Sequence, residues 1–167
     1  DLMQKVIRST SAEDDKDHIH LVVDNNPNVP SRIKALIEKT GDSPLPTLQD
    51  MAKKLADYGA DFLVMPCNTA HLYHEQIQET ISIPLLDMIQ LAFDELNNSN
   101  INCEKVGIIA SNAVIDLQIY EKKTNSFKTQ LIYPQNDHQN AIMDKIKSIK
   151  SGCYNNTVTN SIQSCIE

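Results

Sequence analysis

The sequence predicts an α/β fold with a parallel sheet in each of two domains. Three observations carry the prediction. Short apolar runs alternate with amphipathic stretches along the whole chain, the apolar runs end in turn-forming residues, and the two halves share this scheme without a sequence repeat. Strand–helix–strand order calls for right-handed crossovers, which leave the joined strands parallel. At 167 residues the chain can bury a core in one domain or in two small ones.

Taken in order, Leu2, Met3, Val6 and Ile7 recur at helical spacing, so the chain opens in a helix. Beyond a polar, acidic loop from Ser11 to Asp17, His20–Val23 is a short apolar strand that runs into Asp24-Asn25-Asn26-Pro27. Pro30, Gly41, Pro44 and Pro46 then interrupt regular structure. Thr47 with Asp50 three residues on resembles a capping box. Leu48, Met51, Ala52 and Leu55 line one face of the helix that follows, and Gly59 supplies its stop. Phe62 to Met65 is a continuous apolar strand, as expected where helices cover both faces of a sheet. Pro66-Cys67-Asn68 ends it, and a helix runs from Thr69 to about Thr80. Ile83 to Ile89 forms a further strand across Pro84, a short helix follows, and the polar stretch Asn97–Glu104 links the halves.

In the second half, Val106–Ala110 is a strand, Val114–Lys123 a helix and Thr129–Tyr133 a strand. Asn136–Lys150 is a helix with Ile142, Ile146 and Ile149 aligned, and Val158, Ile162, Cys165 and Ile166 begin a last one. The expected domains are residues 1–96 and 97–167.

A net charge of −7 argues against general nucleic-acid binding, which needs clustered Lys and Arg. No apolar run approaches the roughly 20 residues of a membrane span. No basic-then-apolar leader is visible, although Asp1 is not a natural start and a leader upstream stays open. Cys67, Cys103, Cys153 and Cys165 show no CxxC pair and no zinc-type spacing with histidine, so no metal site is expected. Reduced thiols in a cytoplasmic setting are the natural reading, with two disulfides in a secreted domain as the alternative.

The segment that carries chemistry is Asp61 to His71. Ligands of open α/β sheets sit beyond the carboxyl ends of strands, and Cys67 stands there at the mouth of the next helix. Free N–H groups and partial positive charge at a helix start lower a thiol's pKa and attract anions. One turn can therefore activate Cys67 and hold a carboxylate through the Asn68 and Thr69 backbone and the Thr69 hydroxyl. A cysteine after a buried strand is more often a small core residue. The polar Asn68, Thr69 and His71 that follow at once favour function here.

Pro66-Cys67-Asn68-Thr69-Ala70-His71 resembles the first cysteine motif of the aspartate/glutamate racemase family, whose members need no pyridoxal phosphate. Asp24-Asn25-Asn26-Pro27-Asn28-Val29-Pro30-Ser31-Arg32 is similar to that family's substrate loop, most closely in the aspartate racemases, and Asp17-His18 fits the same pattern. Ile149-Lys150-Ser151-Gly152 resembles the family's lysine segment in the second domain. These segments stand in register across nearly all of the chain. The resemblance implies two pseudo-symmetric Rossmann-like domains with the active site between them, no cofactor, and two-base proton transfer by two cysteines. It implies that Cys67 is one of those bases and that Arg32 and Lys150 pair with the carboxylates of a small acidic amino acid. Asn68 and Thr69 would hold the α-carboxylate, and Asn26 would shape the pocket. Homodimers are common in the family, but no interface can be read from this sequence.

Three departures from the pattern stand out. The family's opening strand with its Gly-Gly-Met loop, and its second cysteine motif (Gly-Cys-Thr-Glu), have no counterpart in these residues, so both domains read as incomplete. At Ala110-Ser111-Asn112-Ala113-Val114 only Ser111 keeps a hydroxyl where the family carries threonines. Cys103, Cys153 and Cys165 are not assigned as the second base. His71 and His74 share one helical turn, where a surface or capping role competes with chemistry, while His18 and His20 read as loop hydrogen-bonders. Lys150 and Arg32 have bland readings too, as solvated charge and as a loop brace. The competing functions are an inactive remnant that binds an amino acid and a cysteine hydrolase with His71 as its base. Within the superfamily, hydantoin racemases, maleate isomerase and arylmalonate decarboxylases also use a strand-end cysteine.

Overall fold

Two pairs of parallel strands, one in each half, organise the computed structural model, which describes residues 2–99, 104–124 and 129–152. Contacts divide the chain into a first unit, Asp1–Met88, and a second, Ile89–Glu167. The α/β class with parallel strands agrees with the sequence-based expectation.

The first unit opens with α1 (Leu2–Ser9), which carries no buried residue. The acidic loop closes on itself around a single 3₁₀ turn, Asp15–Asp17. Asp14 accepts from the Asp15 N–H at 2.8 Å and Asp17 accepts from the Asp14 N–H at 3.0 Å. His20–Val23 does not form the expected strand. Residues 18–25 are exposed and no described strand pairs with them, and an apolar run without a ladder partner has nothing to fix it as β-structure.

The next helix, α2 (Leu45–Tyr58), starts two residues before Thr47. Buried Pro44 stands at its cap position, and the Ser43 hydroxyl accepts from the Leu45 N–H at 3.3 Å, so the expected Thr47–Asp50 box is not the cap. Asp50 instead pairs with exposed Lys54 at 2.6 Å, one turn on. The helix ends as expected at Gly59, whose φ of 105° lets the chain turn back.

Strand β1 (Leu63–Val64) then pairs with β2 (Leu85–Leu86), Leu63 opposite Leu85 and Val64 opposite Leu86. Between them run a 3₁₀ segment, Thr69–Tyr73, and the short helix α3 (His74–Gln78), in place of one long helix. Ala52, Leu63, Ile77 and Leu85 form the core of this unit, with Leu48, Leu55, Met65 and Ile83 packed against it. Phe62 and Val64 are half exposed, so the apolar strand is buried on one face and not on both. The Gln78 amide clamps the crossover to β2: its Nε2 donates to the Ile83 carbonyl at 3.0 Å and its Oε1 accepts from the Leu85 N–H at 2.7 Å.

From Met88, the last residue of the first unit, α4 (Met88–Asn98) runs into the second; it buries Ile89 and Phe93, and its last turn reaches into the expected polar link. Strand β3 (Lys105–Gly107) pairs with a later strand, and the expected helix after it is two short ones, α5 (Asn112–Asp116) and α6 (Glu121–Thr124). Gln118, at φ 50°, breaks the helix between them. The partner of β3 is β4 (Gln130–Ile132), in parallel register with Val106 opposite Leu131. Tyr133 donates to the Glu121 carboxylate, and burial, then that bond, push its phenol above the usual range. The last described element, α7 (Asn136–Lys150), has the expected bounds and buries Ile142. The expected final helix and Cys103, Cys153 and Cys165 lie outside the described residues. No helix among the described residues is long and apolar enough to cross a membrane.

Candidate functional site

The chain leaves β1 through Met65 and Pro66 and turns sharply at once, because the Cys67 N–H donates to the Met65 carbonyl at 2.7 Å. This turn sets Cys67 at the carboxyl end of the strand as a free, half-buried thiol. Its Sγ lies 3.6 Å from the Thr69 hydroxyl. Asn68 stands at the cap position of the 3₁₀ segment, half-buried beside Thr69. The short 3₁₀ element corrects one expectation. The electropositive tip of a long helix is replaced by a single tight turn of amides, so less aligned dipole faces the sulfur.

An open pocket of about 430 Å³ lies over the thiol. The loop after residue 25 lines it with Asn26, Pro27, Val29, Ser31 and Arg32, α2 with Leu48, and the strand end with Met65, Cys67 and Ala70. Cys67, Arg32 and Asn26, singled out in the sequence, thus share one pocket. Asn68 and Thr69 adjoin it in the chain without being among its lining residues. Lys150 is the exposed last residue of α7, in the second unit.

Each loop residue is held by its own short-range bonding. The Asn26 Oδ1 accepts from the Asn28 N–H at 2.9 Å, a side-chain turn that shapes the loop, while its Nδ2 faces the Met51 sulfur at 3.7 Å. Arg32 donates through Nη1 to the Pro30 carbonyl at 3.0 Å. Guanidinium carries five donors, and the remaining ones suit a carboxylate, which accepts two parallel bonds. A thiol, a guanidinium and an apolar wall in one pocket can hold a small anionic ligand against the sulfur.

His71 is the residue whose part sequence reasoning missed. It is buried, 7 % exposed, which excludes the surface alternative. Its Nε2 accepts from the Met88 N–H at 3.1 Å, which leaves the ring proton on Nδ1 to be donated to the Cys67 carbonyl at 2.9 Å. His74 stacks on it at 5.9 Å between ring centroids and meets the Leu85 carbonyl at 2.7 Å through Nε2, which must carry a proton to do so. The four-residue separation of Cys67 and His71 is the one local signal that could have found the first contact. Nothing local marks Met88. Leu48 and Met65 line the pocket as well as the core, a double duty that periodicity does not separate.

The family model described as Asp/Glu/hydantoin racemase matches residues 1–167. A curated relative, the broad specificity amino-acid racemase RacX of Bacillus subtilis (strain 168), is 33 % identical over 102 residues. That match covers 60 % of this chain and 43 % of the relative, so the aligned part is less than half of that protein. Among solved structures, the Picrophilus torridus aspartate racemase superimposes with a TM-score of 0.84 at 27 % identity, over 98 % of this chain and 67 % of that one. A putative Asp/Glu racemase from Yersinia pestis shares the fold at a TM-score of 0.62 and 19 % identity, over 74 % and 54 % of the two chains.

Proposed function

This chain belongs to the Asp/Glu/hydantoin racemase family, and we propose that it serves a racemase of acidic amino acids, aspartate first and glutamate second, with Cys67 as a proton-transferring base. The observation that carries the reading is the pocket shared by the Cys67 thiol and the Arg32 guanidinium.

In the proposed reaction the Cys67 thiolate takes the α-proton and becomes a thiol, while the C–H electron pair passes into the α-carboxylate as an enediolate. An acid on the opposite face returns a proton to the α-carbon and inverts it. An amino-acid α-carbon is a very weak acid, so cationic and N–H groups must stabilise the charge that develops. Arg32 grips the side-chain carboxylate, Asn68 and Thr69 serve the α-carboxylate, and Asn26 keeps the loop in shape. Lys150, through its resemblance to the family's lysine segment, is proposed as a further partner for a substrate carboxylate. No cofactor is needed for this sequence of steps, and the thiol must stay reduced, which suits the cytoplasm.

Deuterium wash-in tests the half of the reaction that belongs to Cys67. In heavy water the unaltered chain is expected to exchange the α-hydrogen of at least one aspartate enantiomer, and Cys67→Ala to abolish that exchange. Exchange that persists unchanged in the alanine variant would refute the assignment. Exchange without inversion identifies a chain that carries one base alone. A wider substrate range is the second reading, because Val29, Leu48, Met65 and Ala70 give the pocket an apolar wall. Comparable exchange rates for aspartate, alanine and leucine favour it.

A further inference from the structure

We propose that His71 is a positioning residue for the Cys67 thiol, an inference that rests on the reading of Cys67 as the reacting base. The imidazole joins two backbone points that the sheet alone does not join. Nδ1 donates to the carbonyl of Cys67 itself, just beyond β1, and Nε2 accepts from the N–H of Met88, just beyond β2. The peptide that leaves Cys67 is therefore oriented by both strands of the pair. Its orientation sets the direction of the Cα–Cβ bond and the 3.6 Å approach of Sγ to the Thr69 hydroxyl.

Burial sharpens the point. A polar ring in a core site is costly unless both nitrogens are bonded, and an aliphatic side chain would fill the space with no polar atom to satisfy. Here both nitrogens are satisfied, and both partners are main-chain groups at strand ends. The ring next to it does related work: His74 reaches the Leu85 carbonyl in β2 and stacks at 18° on His71, which limits how far the His71 ring can tilt. Neither ring nitrogen of His71 is left to take a proton from a substrate, so the residue acts through Cys67 and not on the reacting atoms.

Two measurements on the full chain test this. The first needs no substrate: imidazole ¹⁵N–¹H correlation spectra should show His71 protonated at Nδ1 and bare at Nε2, and His74 protonated at Nε2. Neutral histidine in water prefers the Nε2–H form, so an Nε2-protonated His71 overturns the proposal outright. The second compares His71→Leu with His71→Asn, whose amide nitrogen falls near the place of Nδ1. The leucine variant should lose about 10- to 100-fold in kcat for α-deuterium exchange, as expected of a misplaced reacting group, with KM little changed. Asparagine should recover most of the loss. Equal loss in both variants, or a loss confined to KM, overturns it. If leucine prevents folding, His71→Gln replaces it, since its amide reaches the Nε2 site and forgoes Cys67. A chain with no exchange at all sinks the racemase reading, while the spectrum still decides the tie.

Discussion

At the scale of the residue, Arg32 is the group whose chemistry separates the competing substrate ranges. It spends one donor on Pro30 and lines the pocket with Cys67. A lysine keeps the charge but cannot offer two parallel bonds to a carboxylate. Arg32→Lys is therefore expected to lower kcat/KM for aspartate by roughly 10- to 100-fold, the scale of one charged hydrogen bond, and to leave alanine almost unaffected. Equal losses for both amino acids would remove the guanidinium from the side-chain subsite. Cys67 was legible because the polar run after it breaks an apolar strand, whereas Arg32 and Asn26 were picked out only through the resemblance of their loop to the family's substrate loop. His71 was not, since its second partner is 17 residues away and is a backbone amide that any residue could supply.

Among the elements, the end of α2 offers the cleanest test of a local signal. Gly59 adopts φ 105°, and a Cβ built there meets nothing within 4 Å. Gly59→Ala therefore carries a backbone cost alone, about 1 kcal/mol, with no steric clash to add. Urea titration should show a lower midpoint with an unchanged slope, and an unaltered midpoint would contradict the left-handed cap. The helix α7 was readable because Ile142, Ile146 and Ile149 recur on one face of its 15 residues. Other elements were not. Val114–Lys123 has the composition of one helix, yet Gln118 turns left-handed between two short ones. His20–Val23 has the composition of a strand, but a strand exists only by pairing, and the partner is not encoded in the run itself. Phe62 to Met65 reads as apolar throughout while Phe62 and Val64 remain half exposed, since hydrophobicity reports a tendency to be covered and not the presence of a cover.

For the whole molecule, each unit holds buried aliphatic side chains, and each is expected to answer to its own substitution. Ile77 and Ile142 are both 2 % exposed, the first within the core around β1 and β2, the second on α7. Ile77→Ala is expected to cost about 2–5 kcal/mol, the range for truncating a buried aliphatic side chain. Amide hydrogen exchange should show the loss in α2, β1 and β2. Ile142→Ala should speed exchange in α7 instead, and identical patterns from the two variants would mean one shared core. Alternation of strands and helices in both halves made the α/β class with parallel strands readable. The contact boundary at Met88 was less so, because α4 runs without a break from that residue towards the polar stretch.

The crossover between the first two strands has a kinetic consequence. The hydrogen bonds of Cys67, His71, His74 and Gln78 described above all end at or before Met88, and the longest spans 17 residues. Closing so short a loop costs little chain entropy, and contacts of low sequence separation form fast. During synthesis, the corner that bears the sulfur can therefore take shape once Met88 has left the ribosome.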